Sequence, residues 1–199
     1  MAAEAMIWKA WLHCRLARLI ERLLAITGAL FIAWHLCFDF AVITSGSMAP
    51  ALQGTSYQNG DRVVIEKLSG WFRSPRRWEI HFLEDAEGTP VVKRIVGLPG
   101  EKIGLKQNRI YANGREIPRP PGLNSLKYYA YGNLKAGQEV DCGHGYFVMG
   151  DDSRDSYDSR FLGPVSSQQF RGRVWLIVWP PSRCGFMTAA GAVPALAGK

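Results

Sequence analysis

The amino-acid sequence predicts a mostly β protein: an antiparallel β domain behind one N-terminal transmembrane helix. Three observations carry that prediction. Residues 23–43 form an apolar run of about the length a bilayer core requires, interrupted only by His35 and Asp39 near its far end. Past Leu52 the hydrophobic period changes from helical to the alternation of strands. Turn-forming clusters then recur at Gln53-Gly54, Asn59-Gly60-Asp61, Pro99-Gly100, Asn113-Gly114 and Pro120-Pro121-Gly122.

The chain of 199 residues has room for an anchor and one domain of about 150 residues. A hydrophobic fraction of 47% with 21 glycines and 11 prolines describes a turn-rich globular chain and excludes a disordered one. The net charge of +7 suits an anionic membrane surface or nucleic acid and says little about fold. Cys14, Cys37, Cys142 and Cys184 show no close pairing, and Cys142 with His144 is half a metal site at best. No metal and no cofactor is expected. Cys142 and Cys184 would be bridged in an extracytoplasmic domain or, equally, remain two small hydrophobes.

Taken in order, residues 1–22 read as an interfacial amphipathic helix. Ile7, Trp8, Trp11, Leu12, Leu16, Leu19, Ile20 and Leu23 recur at helical spacing, and Arg15, Arg18 and Arg22 share another face. The transmembrane anchor is expected at 23–43. Lys9, Arg15, Arg18 and Arg22 precede it and no Lys or Arg follows until Arg62, so the N-terminus is expected in the cytoplasm and the domain outside a bacterial plasma (inner) membrane, in a single pass. A buried core helix, or a cleavable secretory signal ending at Ser-Gly-Ser, would read similarly. An extracytoplasmic β domain is expected over 44–183, with strands at 62–67, 79–83, 90–96, 102–105, 109–112, 146–149 and 173–179. Residues 117–140 read as an insertion with loops, and 184–199 as a C-terminal tail without assigned function. Within 71–78, Trp71, Phe72, Arg73, Arg76, Arg77 and Trp78 surround a Pro turn. That composition suits a lipid headgroup region or a plain hairpin tip, and no nucleic-acid signature accompanies it.

Three segments carry candidate chemistry. In Ser45-Gly46-Ser47-Met48-Ala49-Pro50, small residues allow a close backbone turn, Ser47 offers a hydroxyl and Pro50 stiffens the exit; alone, the stretch is also ordinary linker chemistry. A serine nucleophile needs a base. His13 and His35 precede the domain, and His81 with Asp85 or His144 with Asp141 stand without a surrounding motif. Lys93 is the better candidate, because strand alternation puts it on the face of Val91 and Ile95, where burial lowers its affinity for a proton. Arg94 falls on the opposite face. A lysine snorkelling from an edge strand is the plainer alternative. The third segment, Gly150 to Arg160, sets Asp151, Asp152, Asp155 and Asp158 beside Arg154 and Arg160, which reads as salt-bridged scaffolding with serines able to orient an amine. Its acidic spacing does not match an EF-hand.

In order, SGSMAPAL, DRVVIEKL, VVKRIVGLPGE and GDDSRDSYDSRFLGPV resemble the type I signal peptidases, membrane-bound Ser-Lys endopeptidases, over about residues 23 to 180. The resemblance implies Ser47 as nucleophile and Lys93 as general base. It implies an oxyanion hole from the Ser45 hydroxyl and the Ser47 N–H, Ser156 orienting the lysine, and Asp151 with Arg94 and Asp158 with Arg160 as supports. It also implies a mostly antiparallel β fold with an apolar surface near the site, signal peptides of preproteins and membrane lipid as partners, and small residues at the first and third positions before the cut. Ala51, Asp152 and Ser153 depart from the usual Thr, Asn and Arg. A specialised conjugative-transfer or pilin-processing peptidase shares SYDSRFLGPV. A non-catalytic, membrane-tethered β domain binding lipid or nucleic acid is the reading from another class.

Overall fold

The computed structural model describes residues 2–85, 87–189 and 191–194. The chain divides into two compact units, residues 1–38 and 39–199. The first is one continuous helix, α1 (Ala2–Cys37), so the expected interfacial and spanning segments are not separate elements. The helix also stops short of the expected end of the span. Phe38–Val42 is a strand, β1, hydrogen-bonded in a sheet to β2 (Arg62–Glu66). Only residues 23–37 of the apolar run are helical, about 22 Å at 1.5 Å per residue, against about 30 Å of hydrocarbon. Among the described residues no helix is long and apolar enough to cross a membrane. The physical reason lies in Phe38-Asp39-Phe40-Ala41-Val42, whose aromatic and β-branched residues suit a pleated surface and whose Asp39 reaches Lys67 at 3.8 Å.

The second unit is built of antiparallel sheets. Its strands continue with β3 (Ile80–Glu84), β4 (Pro90–Gly97), β5 (Lys102–Lys106), β6 (Arg109–Ala112), β7 (Arg115–Glu116), β8 (Glu139–Asp141), β9 (Phe147–Met149), β10 (Phe170–Trp179), β11 (Gly185–Thr188) and β12 (Gly191–Pro194). The larger sheet runs β1-β2-β10-β3-β4-β9, with β11 added to β10 and β12 to β11; the smaller runs β7-β6-β5-β8. Alternation along β4 explains how the sheet feeds separate cores. Val91 and Ile95 pack with Leu83, Tyr146, Val148 and Val165, whereas Val92 packs with Ile43, Met48, Leu52, Ile65 and Ile80. A third core holds Val96, Ile103, Leu105, Ile110 and Phe147 between the sheets.

One expectation is corrected here and others are made specific. The 184–199 tail is not separate from the domain: β11 pairs with β10 through Leu176↔Phe186, β12 pairs with β11, and Met187 is buried in the core beneath residues 43–52. Residues 195–199 lie outside the described residues. The 117–140 stretch is largely loop, yet it buries Leu123, Leu126, Tyr128 and Leu134 against the third core and ends in β8. Cys142 and Cys184 are both free; burial pushes the Cys142 thiol up to about 11, and Cys184 Sγ donates to Val178 O. In place of a bare hairpin tip, residues Leu68–Phe72 form a short helix, α2, with Trp71 and Phe72 exposed and Trp78 buried.

Gly97 shows how tightly the sheets meet. A Cβ there would lie 2.6 Å from Ile103 Cγ1 and 2.7 Å from Phe147 Cβ. Gly97→Ala is expected to destabilise the domain by about 1–3 kcal/mol, the usual range for overpacking; the urea midpoint of unfolding checks this, and an unchanged midpoint would mean the sheets can part without cost.

Candidate active site

The turn that carries Ser47 is held from within the core. Ser45 is extended, Gly46–Met48 makes one 3₁₀ turn closed by Ala49 N–H to Gly46 O at 2.9 Å, and Leu52 N–H donates to Met48 O at 2.9 Å. Met48 and Leu52 are almost fully buried, which turns Ser47 the other way, toward β4. There Lys93 Nζ donates to Ser47 Oγ at 3.0 Å, and both side chains are buried. Ser45 Oγ lies 3.2 Å from Ser47 Oγ.

Burial pulls the Lys93 amine below its ordinary proton affinity, against the opposing pull of the Asp158 carboxylate; the Arg160 guanidinium lowers it further, and Asp155 and Asp151 oppose. The net direction is down because burial is the largest effect, and two of the three opposing carboxylates are themselves paired with guanidinium groups. Asp151 takes Arg94 Nε at 2.7 Å and Nη2 at 2.6 Å, and Asp158 takes Arg160 Nε and Nη2 at 2.8 Å each. All four side chains are sealed from solvent.

The third segment wraps this pair. Asp152 N–H donates to Ser47 O at 3.1 Å, and Gly150 N–H donates to Asp158 Oδ2 at 3.0 Å. Asp158 also caps α3 (Ser159–Leu162). Ser156 sits at the site, but its hydroxyl donates to Asp158 Oδ2 at 2.7 Å, so its proton is directed to that carboxylate and not to the lysine. The hydrogen bond that the structure gives Ser156 is thus to Asp158, whose charge in turn raises the proton affinity of Lys93 against the effect of burial.

Two participants escaped the sequence reading. Ser153 replaces the frequent Arg and is a hub: its Oγ accepts from Tyr129 N–H at 2.9 Å and from Arg160 Nη1 at 2.8 Å. Gly150 is the other, since a Cβ there would lie 2.3 Å from Ser156 Oγ and 2.4 Å from Ser47 O. Its only sequence signal is its place at the head of the acidic segment.

The histidine alternatives do not assemble. Asp85 accepts the backbone N–H groups of Glu87 and Thr89, and Asp141 that of Gly143. His81 is buried against Glu79, 3.2 Å from Nε2 to Oε2, and burial lowers its affinity for a proton. Among the described residues no cluster of three or more His, Cys, Asp or Glu is placed to hold a metal. A cavity of about 510 Å³ opens on Ser45, Ser47, Lys93 and Ser156 and is walled by Leu83, Val91, Val148 and Val165. A second, about 320 Å³, reaches Ser45, Ser47 and Lys93 between residues 40–44 and 90–92. A cavity of about 620 Å³ beside Trp71, Arg73, His81 and Arg173 includes neither Ser47 nor Lys93.

A serine hydroxyl bonded to a desolvated lysine amine, on an antiparallel β scaffold with apolar clefts at the serine, defines a serine hydrolase of the Ser-Lys kind. The family described as Signal peptidase, peptidase S26, matches residues 16–179, and the chain belongs to that family. It is similar to a probable signal peptidase I-2 of Synechocystis sp., 32% identical over 89% of this chain and 78% of the relative. Signal peptidase I of Leptolyngbya laminosa is 32% identical over 72% of this chain and 70% of its own. A solved signal peptidase I from Enterococcus faecalis V583 aligns with 51% of this chain and 97% of its own at 27% identity and a TM-score of 0.41. The activity of the family is that of a serine endopeptidase that removes signal peptides.

Two substitutions test the scaffold. Gly150→Ala is expected to push the Ser47 turn and cut cleavage by about 10²-fold, as ångström-scale misplacement does, with the fold retained by circular dichroism. Asp151→Ala leaves the Arg94 guanidinium buried without its counter-ion and is expected to lower unfolding free energy by about 3–5 kcal/mol in denaturant titration.

Proposed function

We propose that this chain cleaves signal peptides from translocated preproteins with Ser47 as nucleophile and Lys93 as general base. The observation that carries the assignment is the 3.0 Å hydrogen bond between Lys93 Nζ and Ser47 Oγ inside an apolar wall. The neutral amine takes the Ser47 proton as Oγ attacks the scissile carbonyl, and returns it to the leaving amine. The oxyanion is stabilised by the Ser47 N–H and the Ser45 hydroxyl. Water, deprotonated by the same amine, then frees the acyl group. Ser156 acts by fixing Asp158, and the apolar clefts at Ser47 take small residues at the first and third positions before the cut.

The protein works at a bacterial plasma membrane in this reading, with its N-terminus cytoplasmic and its β domain outside. What supports it is the asymmetry of Arg15, Arg18 and Arg22 against the uncharged residues 23–37. Arginine stems that reach toward the headgroups would extend the short apolar length of α1. Trp71 and Phe72, exposed on α2 beside Arg73, would rest on lipid.

Purified full-length protein in detergent is expected to cut a secretory preprotein after a small residue, and Ser47→Ala and Lys93→Ala are each expected to lower the rate by about 10⁴-fold or more. Cleavage surviving both would refute the dyad, and cleavage of pilin-like substrates alone would establish the specialised peptidase. The pH profile has a fixed sign. Protonated Lys93 is inactive and neutral Lys93 active, so kcat/KM is expected to rise with pH along a limb centred below the ordinary lysine value of about 10.4; a limb at or above that value would refute a desolvated base.

A further inference from the structure

We infer that Arg183 is a positioning residue for the Ser47 nucleophile, a clamp supplied by a part of the chain beyond the family match at residues 16–179. The inference rests on reading Ser47 as the nucleophile. Arg183 ends the 3₁₀ turn Pro181–Arg183 that follows β10. Its Nε donates to Asp61 Oδ1 at 3.0 Å and Oδ2 at 3.1 Å, and its Nη2 to Asp61 Oδ2 at 3.0 Å. The same Nη2 reaches the backbone: Ala51 O at 2.9 Å and Pro50 O at 3.4 Å.

Those carbonyls lie on the exit of the Ser47 turn, and Asp61 holds the neck of the loop that contains it. Asp61 O accepts Ile43 N–H at 2.9 Å, Asp61 N–H donates to Gln53 O at 2.8 Å, and Asp61 Oδ2 accepts Gln53 N–H at 2.8 Å. Residues 43–61 are thereby closed on themselves, with Ser45 and Ser47 between one tied end at Ile43 and another at Gln53. The packing at the neck leaves no slack: a Cβ on Gly54 or Gly60 would fall 1.8 or 1.9 Å from Ile43 O. Arg183 fixes the one stretch between Ser47 and that neck whose carbonyls point to a side chain. The hairpin after it reaches both halves of the site. Met187 packs in the core of Met48 and Leu52, and Arg94, beside the base, donates from Nη1 to Ala189 O at 3.5 Å.

A guanidinium is required because one planar group must serve a carboxylate and a carbonyl at once; an ammonium would serve them only in part. Removing it alone would strand the buried Asp61 carboxylate, so the decisive variant removes both charges. In Asp61→Asn/Arg183→Met, within the full-length protein, the amide oxygen of the new side chain still accepts Gln53 N–H while the tie to Ala51 O is lost. The expected result is a kcat about 10²-fold lower with KM unchanged, and faster amide exchange at Ala49 and Leu52 while Ile95 in β4 stays protected. Arg183→Lys is expected to fall between wild type and the double variant in both readouts. Wild-type kcat in the folded double variant, a rise in KM alone, or uniformly faster exchange would each overturn the clamp. Should the wild type cut no preprotein, the peptidase reading fails, and exchange at Ala49 and Leu52 still decides whether Arg183 holds the turn.

Discussion

The site depends on keeping an amine where its charge is unfavourable while surrounding it with carboxylates. An ammonium inside an apolar wall loses its hydration, and free carboxylates nearby would restore its charge. The chain resolves the conflict by occupying the two buried carboxylates with guanidinium groups. Asp151 is held bidentately by Arg94 and Asp158 by Arg160, so of the three carboxylates that act on Lys93 only Asp155 is left without a guanidinium partner among the described residues, and burial decides the direction of the shift. Arginine suits this role because it stays charged at any relevant pH and its planar fork matches a carboxylate.

The same pairs set the backbone. Buried ion pairs seldom add net stability, since desolvation cancels most of their attraction, but each fixes several chain segments at once. Arg160 joins Ser153, Ser156 and Tyr129 to Asp158, and Arg94 joins Trp78 O to Asp151. The acidic loop is thus pinned before it touches Ser47 O through the Asp152 N–H. Glu79 repeats the device away from the serine. Burial opposes its ionisation, yet hydrogen bonds from His81, Arg73 and the Arg76 N–H outweigh that and hold it down at about 2. Its contribution to stability is full above the ordinary carboxylate value of 4.5 and is lost as the pH falls toward 2.

What the sequence made legible was local. Alternation placed Lys93 on the Val91 and Ile95 face, and the strands at 109–112 and 90–96 could be bounded to within a residue because turn residues flank them. The pairing of Asp151 with Arg94 was reached only through the resemblance, as no periodicity joins residues 57 positions apart, and the resemblance also singled out Asp158 with Arg160 from the charges of one short segment. Contacts made by a choice among several acceptors were not legible. Ser156 has a carboxylate and an amine within its neighbourhood, and only the fold shows that its proton goes to Asp158. Ser153 gave no warning of its role either, since a serine in place of an arginine looks like a loss until Arg160 is seen to donate to both its carbonyl and its hydroxyl. The hairpin β11 and β12 was hidden by composition, its small residues reading as a tail.

The misplaced end of the apolar run shows a more general ambiguity. Hydropathy measures what a residue avoids and not what it packs against. Apart from Asp39, residues 38–43 are as apolar as the helix before them, but Ile43 is sealed into a protein core and its N–H is taken by Asp61 O. A backbone in lipid must satisfy its hydrogen bonds within the segment, which only a helix does; one that pairs with β2 satisfies them across a sheet and has left the helical regime. Asp39 marks that change of partner, since a carboxylate is tolerated on an exposed strand position facing Lys67 and not in hydrocarbon. The strand that results leads directly into Ser45, so the pairing that ends the helix is also the first constraint on the position of Ser47.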